Sequence, residues 1–347
     1  MKSSSAATQK RSKSTASDLA TTGSKLKPLD EFRKLLEEPG KFLMIQGEEI
    51  SDQAEGVPVH LNATNLQELI KPLGGRTVTE AIENNLRAAE EQAQRTGREI
   101  FVHLNHPNFH YAVTAEDLAP VIGERFMEIY NGHPGVAHLG DEHHASVAQI
   151  YDIANTIRIG QLGALPLYCV ATDDSHNYDG KKDVRPGRGW IMVHATQLEP
   201  ETLVRAIKAG DFYASSGVTL RDVSYATDKK SLQLEIEPDD EAEYTTQFIG
   251  TKLGYDPKSE PRADANGKPI RTTRKYSADV GQILATVKGT SPSYDMQGNE
   301  LYVRAVVTSS KPHNDPSFKD QHQQAWTQPV GWQKHVTDKN PPESTGN

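Results

Sequence analysis

Histidine is the most informative residue type in this chain: of thirteen in 347 residues, ten fall between His60 and His194. Imidazole nitrogen combined with carboxylate oxygen is the donor set that binds zinc, manganese or iron, so acids interleaved with histidines point to a metal site. Four segments concentrate such donors. In DDSH (Asp173–His176), Asp174 and His176 are two residues apart, and on extended backbone they face the same side. The alternative there is a strand-to-loop turn in which an Asp caps a backbone amide. In FVHLNHPNFHY, three histidines fall within eight residues; His106 reads as a ligand, with His103 and His110 as supporting groups or satisfied core histidines.

The third segment, GEEISDQAEGVPVHLNATN, carries Glu48 and Glu49, one of which could bridge two cations, and His60. Its alternative is a solvated acidic turn. The fourth, FMEIYNGHPG, offers Glu128, Asn131 and His133, or else a Gly/Pro turn whose polar groups satisfy the backbone.

Short apolar runs precede most of these donors and predict the strands that position them: 42–45, 100–104, 126–130, 167–171 and 190–193. Between them, Val78, Ile82, Leu86, Ala89 and Ala93, and then Ile150, Ile153, Ala154 and Ile157, recur at helical spacing. Thr77 with Glu80 and Thr114 with Asp117 have the spacing of helix N-terminal caps. This alternation over residues 28–220 predicts βα units around a parallel sheet or barrel, with the site at the strand ends. Beyond residue 220 the period becomes two at Leu232, Leu234 and Ile236, and 301–307 reads as a strand, so residues 221–338 are expected to form a β-rich module. Polar tails are expected at 1–27 and 339–347.

Composition narrows the function classes. A net charge of −9 disfavours generic nucleic-acid binding. No apolar run approaches the ~18 residues of a membrane span, and residues 1–27 lack the apolar stretch of a secretory signal, which leaves a cytoplasmic location as the default expectation. A single cysteine, Cys169, excludes an intramolecular disulfide and a thiolate cluster, and its place inside an apolar strand suits a core filler.

Taken in order, the G-x-E-I block (Gly47–Ile50), the V-H-L block around His60, His106-Pro107, E-I-Y-N (Glu128–Asn131) and Asp174-x-His176 resemble the polymerase-and-histidinol-phosphatase (PHP) superfamily. GRGW (Gly187–Trp190) and AGDFYASSGVTL (Ala209–Leu220) resemble its carbaryl-hydrolase-like branch. The resemblance implies a distorted (β/α)7 barrel with two or three Zn, Mn or Fe ions that hydrolyses phosphate esters. It implies Glu49, His60, His106, Asp174 and His176 as ligands, Glu49 bridging, and Arg188, Asn131 and His133 as contacts to a small anionic substrate. The family opens with a His-x-His pair and a later Asp-His block, and neither occurs before residue 30. The expectations are therefore a barrel lacking its first strands, through a start farther upstream or as a natural remnant, or one in which His103, His133 and His143 compensate in part.

The chemistry expected of an intact site is attack by a metal-activated water, without a serine or cysteine nucleophile. Two other classes stay open: a catalytically impaired remnant that binds a metal or an anion, and a glycan- or protein-binding module using the aromatic stretch Ala325–Trp332.

Overall fold

The computed structural model describes residues 28–176 and 184–337; both expected polar tails lie outside the described residues. After a short helix α1 (Leu29–Leu36) the chain builds a five-stranded sheet in sequence order: β1 (Gly47–Ala54), β2 (Val57–Thr64), β3 (Phe101–Leu104), β4 (Phe126–Asn131) and β5 (Tyr168–Thr172). β1 and β2 form a hairpin whose two turn residues, Glu55 and Gly56, both have positive φ, as a tight turn matching strand twist requires. β2 pairs antiparallel with β3, whereas β3, β4 and β5 are parallel. The connecting helices are α2 (Val78–Thr96), α3 (Ala115–Leu118) and α4 (Val147–Ile157). Thr77 and Thr114 cap α2 and α3 as their spacing predicts, and Ser146 with Gln149 caps α4.

The expected barrel does not form. Closure needs every strand hydrogen-bonded on both sides, yet among the described residues β1 pairs only with β2 and β5 only with β4. The next strands leave this sheet: β6 (Trp190–Val193), α5 (Pro200–Ala209) and β7 (Phe212–Ser215) fold so that β6 and β7 pair antiparallel. Their partners come from farther along the chain, in the order β13 (Gln282–Lys288), β10 (Tyr244–Lys252), β15 (Glu300–Pro312), β16 (His322–Trp326), β7, β6. β8 (Leu220–Ala226), β9 (Ser231–Ile236) and β14 (Ser293–Asp295) make a three-stranded sheet, and β11 (Ser259–Glu260) with β12 (Lys275–Tyr276) a small ribbon. The protein is thus a mixed α/β structure of open sheets. β7, before the expected boundary near residue 220, is hydrogen-bonded to β16, which lies beyond it.

Two further readings are corrected. Residues 42–45 are not a strand: Phe42 makes one isolated bridge to Glu38, while Leu43 and Ile45 pack as apolar anchors beside α5. The aromatic stretch Ala325–Trp332 is not an exposed surface: Ala325 and Trp326 end β16, and the residues that follow are buried or half-buried. Trp326 is buried against the Tyr130 ring at 5.9 Å, and Trp332 donates its indole N–H to Pro329 O.

Register explains where the site must lie. Ile50, Leu61, Leu104, Met127 and Cys169 are successive cross-strand partners, so one row of side chains runs across all five strands into the main apolar core with α2 and α4. Side chains alternate faces along a strand. The adjacent positions Glu49, Asn62 and His103 are therefore partners on the opposite face, which Glu128 on β4 and Thr172 on β5 extend. At the start of the parallel strands this second face is apolar (Phe101, Phe126, Tyr168, Val170) and covered by α5, β6 and β7. Toward their carboxyl ends it turns polar, the place where open α/β sheets keep their ligands.

Candidate metal centre

The polar half of that face gathers donors from two strands and the end of a third. Glu49 on β1, His60 on β2 and His106 just after β3 present ligand atoms within 4.8 Å of one another, the arrangement that can hold a metal ion. Glu49 Oε1 is 3.0 Å from His60 Nδ1 and 3.5 Å from His106 Nε2, and the two imidazoles meet edge to face at 5.1 Å. Although close to Glu49, His60 Nδ1 is buried without hydrogen-bond geometry to any partner. An orphaned imidazole nitrogen aimed at a carboxylate suits a cation between them. The nitrogen-and-oxygen set fits zinc, manganese or iron rather than a thiolate-preferring ion. Cys169 takes no part, since it faces the apolar core and burial pushes its thiol up to about 12.

Supporting groups hold these donors. Asn105 donates to Glu49 Oε1 at 3.1 Å and to Asn62 Oδ1 at 3.2 Å. Glu128 is buried and accepts from the His106 backbone N–H at 2.6 Å, the Thr172 hydroxyl at 2.6 Å and the Asn131 amide at 2.8 Å. Glu128 and Asn131 would face opposite sides of a regular strand; a bulge between Glu128 and Tyr130 brings both to the site. His103 Nε2 lies 3.5 Å from Glu128 Oε1.

Burial disfavours a charge on His106, but Glu49, Glu128 and Asp174 outweigh it and hold its pKa above the usual imidazole value. Burial likewise opposes ionisation of Glu128, and His103, His106 and Thr172 reverse the effect, keeping its pKa below the carboxylate norm.

The loop after β5 approaches the cluster. Asp174 Oδ2 lies 3.9 Å from His106 Nε2, and Asp174 Oδ1 lies 3.5 Å from His176 Nδ1. Asp174 has φ +45°, a left-handed conformation unusual for a non-glycine residue, held while Asp173 Oδ1 accepts the Arg188 and Gly189 amides.

Of the other residues singled out in the sequence, Asn131 has both ends of its side chain engaged: Nδ2 donates to Glu128 and, at 3.4 Å, to Asp174, and Oδ1 accepts from His133 N. His133 packs edge to face on His176 at 5.3 Å. The Arg188 guanidinium is held within the protein. The side chain is 1% exposed, forked onto Asp315 at 2.9 and 3.0 Å, with Nη1 donating to Gly132 O. His143 is paired with Glu142 at 3.1 Å.

Asn62, Asn105 and Thr172 escaped the sequence reading. The hairpin register that pairs Asn62 with Glu49 would have pointed to the first of them. Among the described residues no helix is long and apolar enough to cross a membrane. Compared with family models, curated proteins and solved structures, the chain matches none.

Proposed function

We propose that the chain is a metal-dependent hydrolase of a phosphate ester or a related small anionic substrate, with Asp174 and His176 completing the donor set of Glu49, His60 and His106. The observation that carries the reading is the buried convergence of that carboxylate and two imidazoles from three separate parts of the chain. The order of blocks resembling the PHP superfamily supports it; the barrel is no part of it. A divalent ion held there supplies Lewis acidity and makes water acidic enough to ionise near neutral pH.

The protein's own part is to fix the donors. Glu128 holds the His106 main chain, and Asn105 holds Glu49. His176 donates Nδ1–H to Asp174 O at 2.7 Å, which leaves the lone pair on Nε2, the tautomer a ligating or basic imidazole requires.

A second reading, a metal- or anion-binding protein without turnover, is favoured by one observation: among the described residues a single group of three donors meets the ligand geometry. The experiment loads the full chain with zinc or manganese, counts retained ions by elemental analysis, and follows hydrolysis of a chromogenic phosphodiester. The hydrolase reading expects about two ions per chain and turnover that His106→Ala abolishes. One retained ion with no turnover selects the binding protein. No retained ion refutes both the hydrolase and the metal-binding reading.

A further inference from the structure

The connection between β15 and β16, residues 313–321, is longer than the ~2–5 residues a hairpin turn needs. Several of its polar side chains are withdrawn from solvent: His313, Ser317 and Gln321 are all buried. Gln321 folds the loop on itself, its Oε1 accepting Ser317 N at 2.7 Å and its main-chain oxygen accepting His313 N at 2.8 Å. The folded loop docks on the end of β4. The Ser317 hydroxyl donates to Gly132 O at 2.9 Å and lies 2.8 Å from the Tyr130 hydroxyl, to which Gln321 Nε2 donates at 3.0 Å.

Arg188 links this loop to the cluster. Its carbonyl oxygen accepts the Nε2–H of His313 at 3.0 Å, and His313 Nδ1 in turn accepts the Asp315 amide at 3.1 Å. Both oxygens of Asp315 hold the Arg188 guanidinium, at 2.9 and 3.0 Å, while Nη1 donates to Gly132 O. On the other side, the amides of Arg188 and Gly189 donate to Asp173 Oδ1 at 2.7 and 2.9 Å. The next residue is Asp174, whose left-handed φ of +45° is a conformation that surrounding structure must impose. In that conformation Asp174 Oδ2 stands 3.9 Å from His106 Nε2.

We infer that His313 and Asp315 are positioning residues of the metal centre. By fixing Arg188 they hold the Asp173–Asp174 turn so that the Asp174 carboxylate serves the Glu49/His60/His106 cluster as a fourth donor. This rests on the metal-dependent reading and deepens it: the β-rich part of the chain, through a residue 127 positions beyond Arg188, completes the donor set.

The test titrates zinc into the full chain against a chromogenic chelator, for wild type, Asp315→Asn, Asp174→Ala and the double variant. Asp315→Asn keeps the shape of the side chain and removes its charge and one of its two acceptors. It should bind zinc about 10–100-fold more weakly, the loss typical when a group that orients a metal ligand is removed. Asp174→Ala, which retains three donors, should lose a similar amount. Adding Asp315→Asn to it should change the affinity by less than about twofold, because the carboxylate to be positioned is already gone. Cobalt(II) in place of zinc should give Asp315→Asn the visible spectrum of Asp174→Ala, and Asp315→Glu should recover part of the affinity. In the metal-free protein, amide hydrogen exchange at Arg188 and Gly189 should speed up in Asp315→Asn while β1 to β3 exchange as in wild type, which separates loosening of the turn from unfolding.

Equal zinc affinity in Asp315→Asn and wild type, a fully additive loss in the double variant, or unchanged exchange at Arg188 and Gly189 would overturn the inference. A wild type that holds no zinc would overturn the metal reading instead, and exchange in the metal-free protein still decides whether Asp315 fixes the turn.

Discussion

Asp152 and Arg304 form a buried ion pair across the two large sheets, and removing its negative member should be among the most destabilising single changes in the chain. Asp152 sits on α4 against the five-stranded sheet, and Arg304 on β15 of the six-stranded one. Asp152 Oδ1 accepts from Arg304 Nε at 2.7 Å and the Tyr302 hydroxyl at 2.9 Å, and Oδ2 accepts from Arg304 Nη2 at 2.6 Å. Arg304 is 1% exposed, and its Nη1 has no hydrogen-bond partner. Burial alone would lower the guanidinium's pKa, and Asp152 more than reverses that. Asp152→Asn keeps the shape and the acceptor for Tyr302 but strands a positive charge in the interior.

Breaking such a pair costs about 3–5 kcal/mol, which at roughly 2 °C per kcal/mol for a chain of this size lowers the melting temperature by about 6–10 °C. Arg304→Met should cost a similar amount by stranding the carboxylate. The double variant, with no buried charge, should return to within about 2 kcal/mol of wild type, because a buried pair recovers little more than its own desolvation. Urea unfolding of all four proteins, compared at equal m values, gives the coupling energy. A coupling below about 0.5 kcal/mol, with the single losses simply adding, would refute the argument that this pair is what joins the sheets electrostatically.

Three further outcomes follow from the geometry. Zinc at about 100 times its dissociation constant should stabilise wild type by about 2.7 kcal/mol in calorimetry and should do so far less in His60→Ala, which removes one of three donors; equal stabilisation would place the ion elsewhere. Burial pushes the Glu124 carboxyl up to about 8, so the folded state holds a proton the unfolded chain releases near 4.5. Stability should then fall by about 1.4 kcal/mol per pH unit from roughly pH 4.5 to 8 and level off above, a slope that Glu124→Gln should remove; an unchanged slope in the variant assigns it to another group. A Cβ at Gly132 would stand 2.7 Å from Asp173 O and 2.9 Å from Arg188 Cβ, so Gly132→Ala should cost about 1–3 kcal/mol in urea unfolding and weaken zinc binding by displacing Asp174; wild-type values for both would mean that the loop yields freely.

The chain's chemistry was legible in its sequence because ligand chemistry is a property of residue type. Clustered histidines and acids at the ends of apolar runs marked His106, Asp174 and His176 as candidate donors, while Glu49 and His60 were expected as ligands only through the family resemblance; Glu49, His60 and His106 converge, with Asp174 and His176 beside them. Local structure was equally readable: the caps at Thr77 and Thr114 and the alternation at Leu232, Leu234 and Ile236 are decided by neighbours in sequence.

Strand pairing could not be read in that way, because a strand's alternation states which side chains share a face and not which strand lies beside it. A βα alternation is compatible with a closed barrel or an open sheet. Only the tertiary structure shows β1 and β2 folding as a hairpin and β6 and β7 joining strands more than 100 residues later. The same limit hid Asp315, which no pattern in the sequence pairs with Arg188. Residue types set what the site can bind; long-range register decided which of them meet.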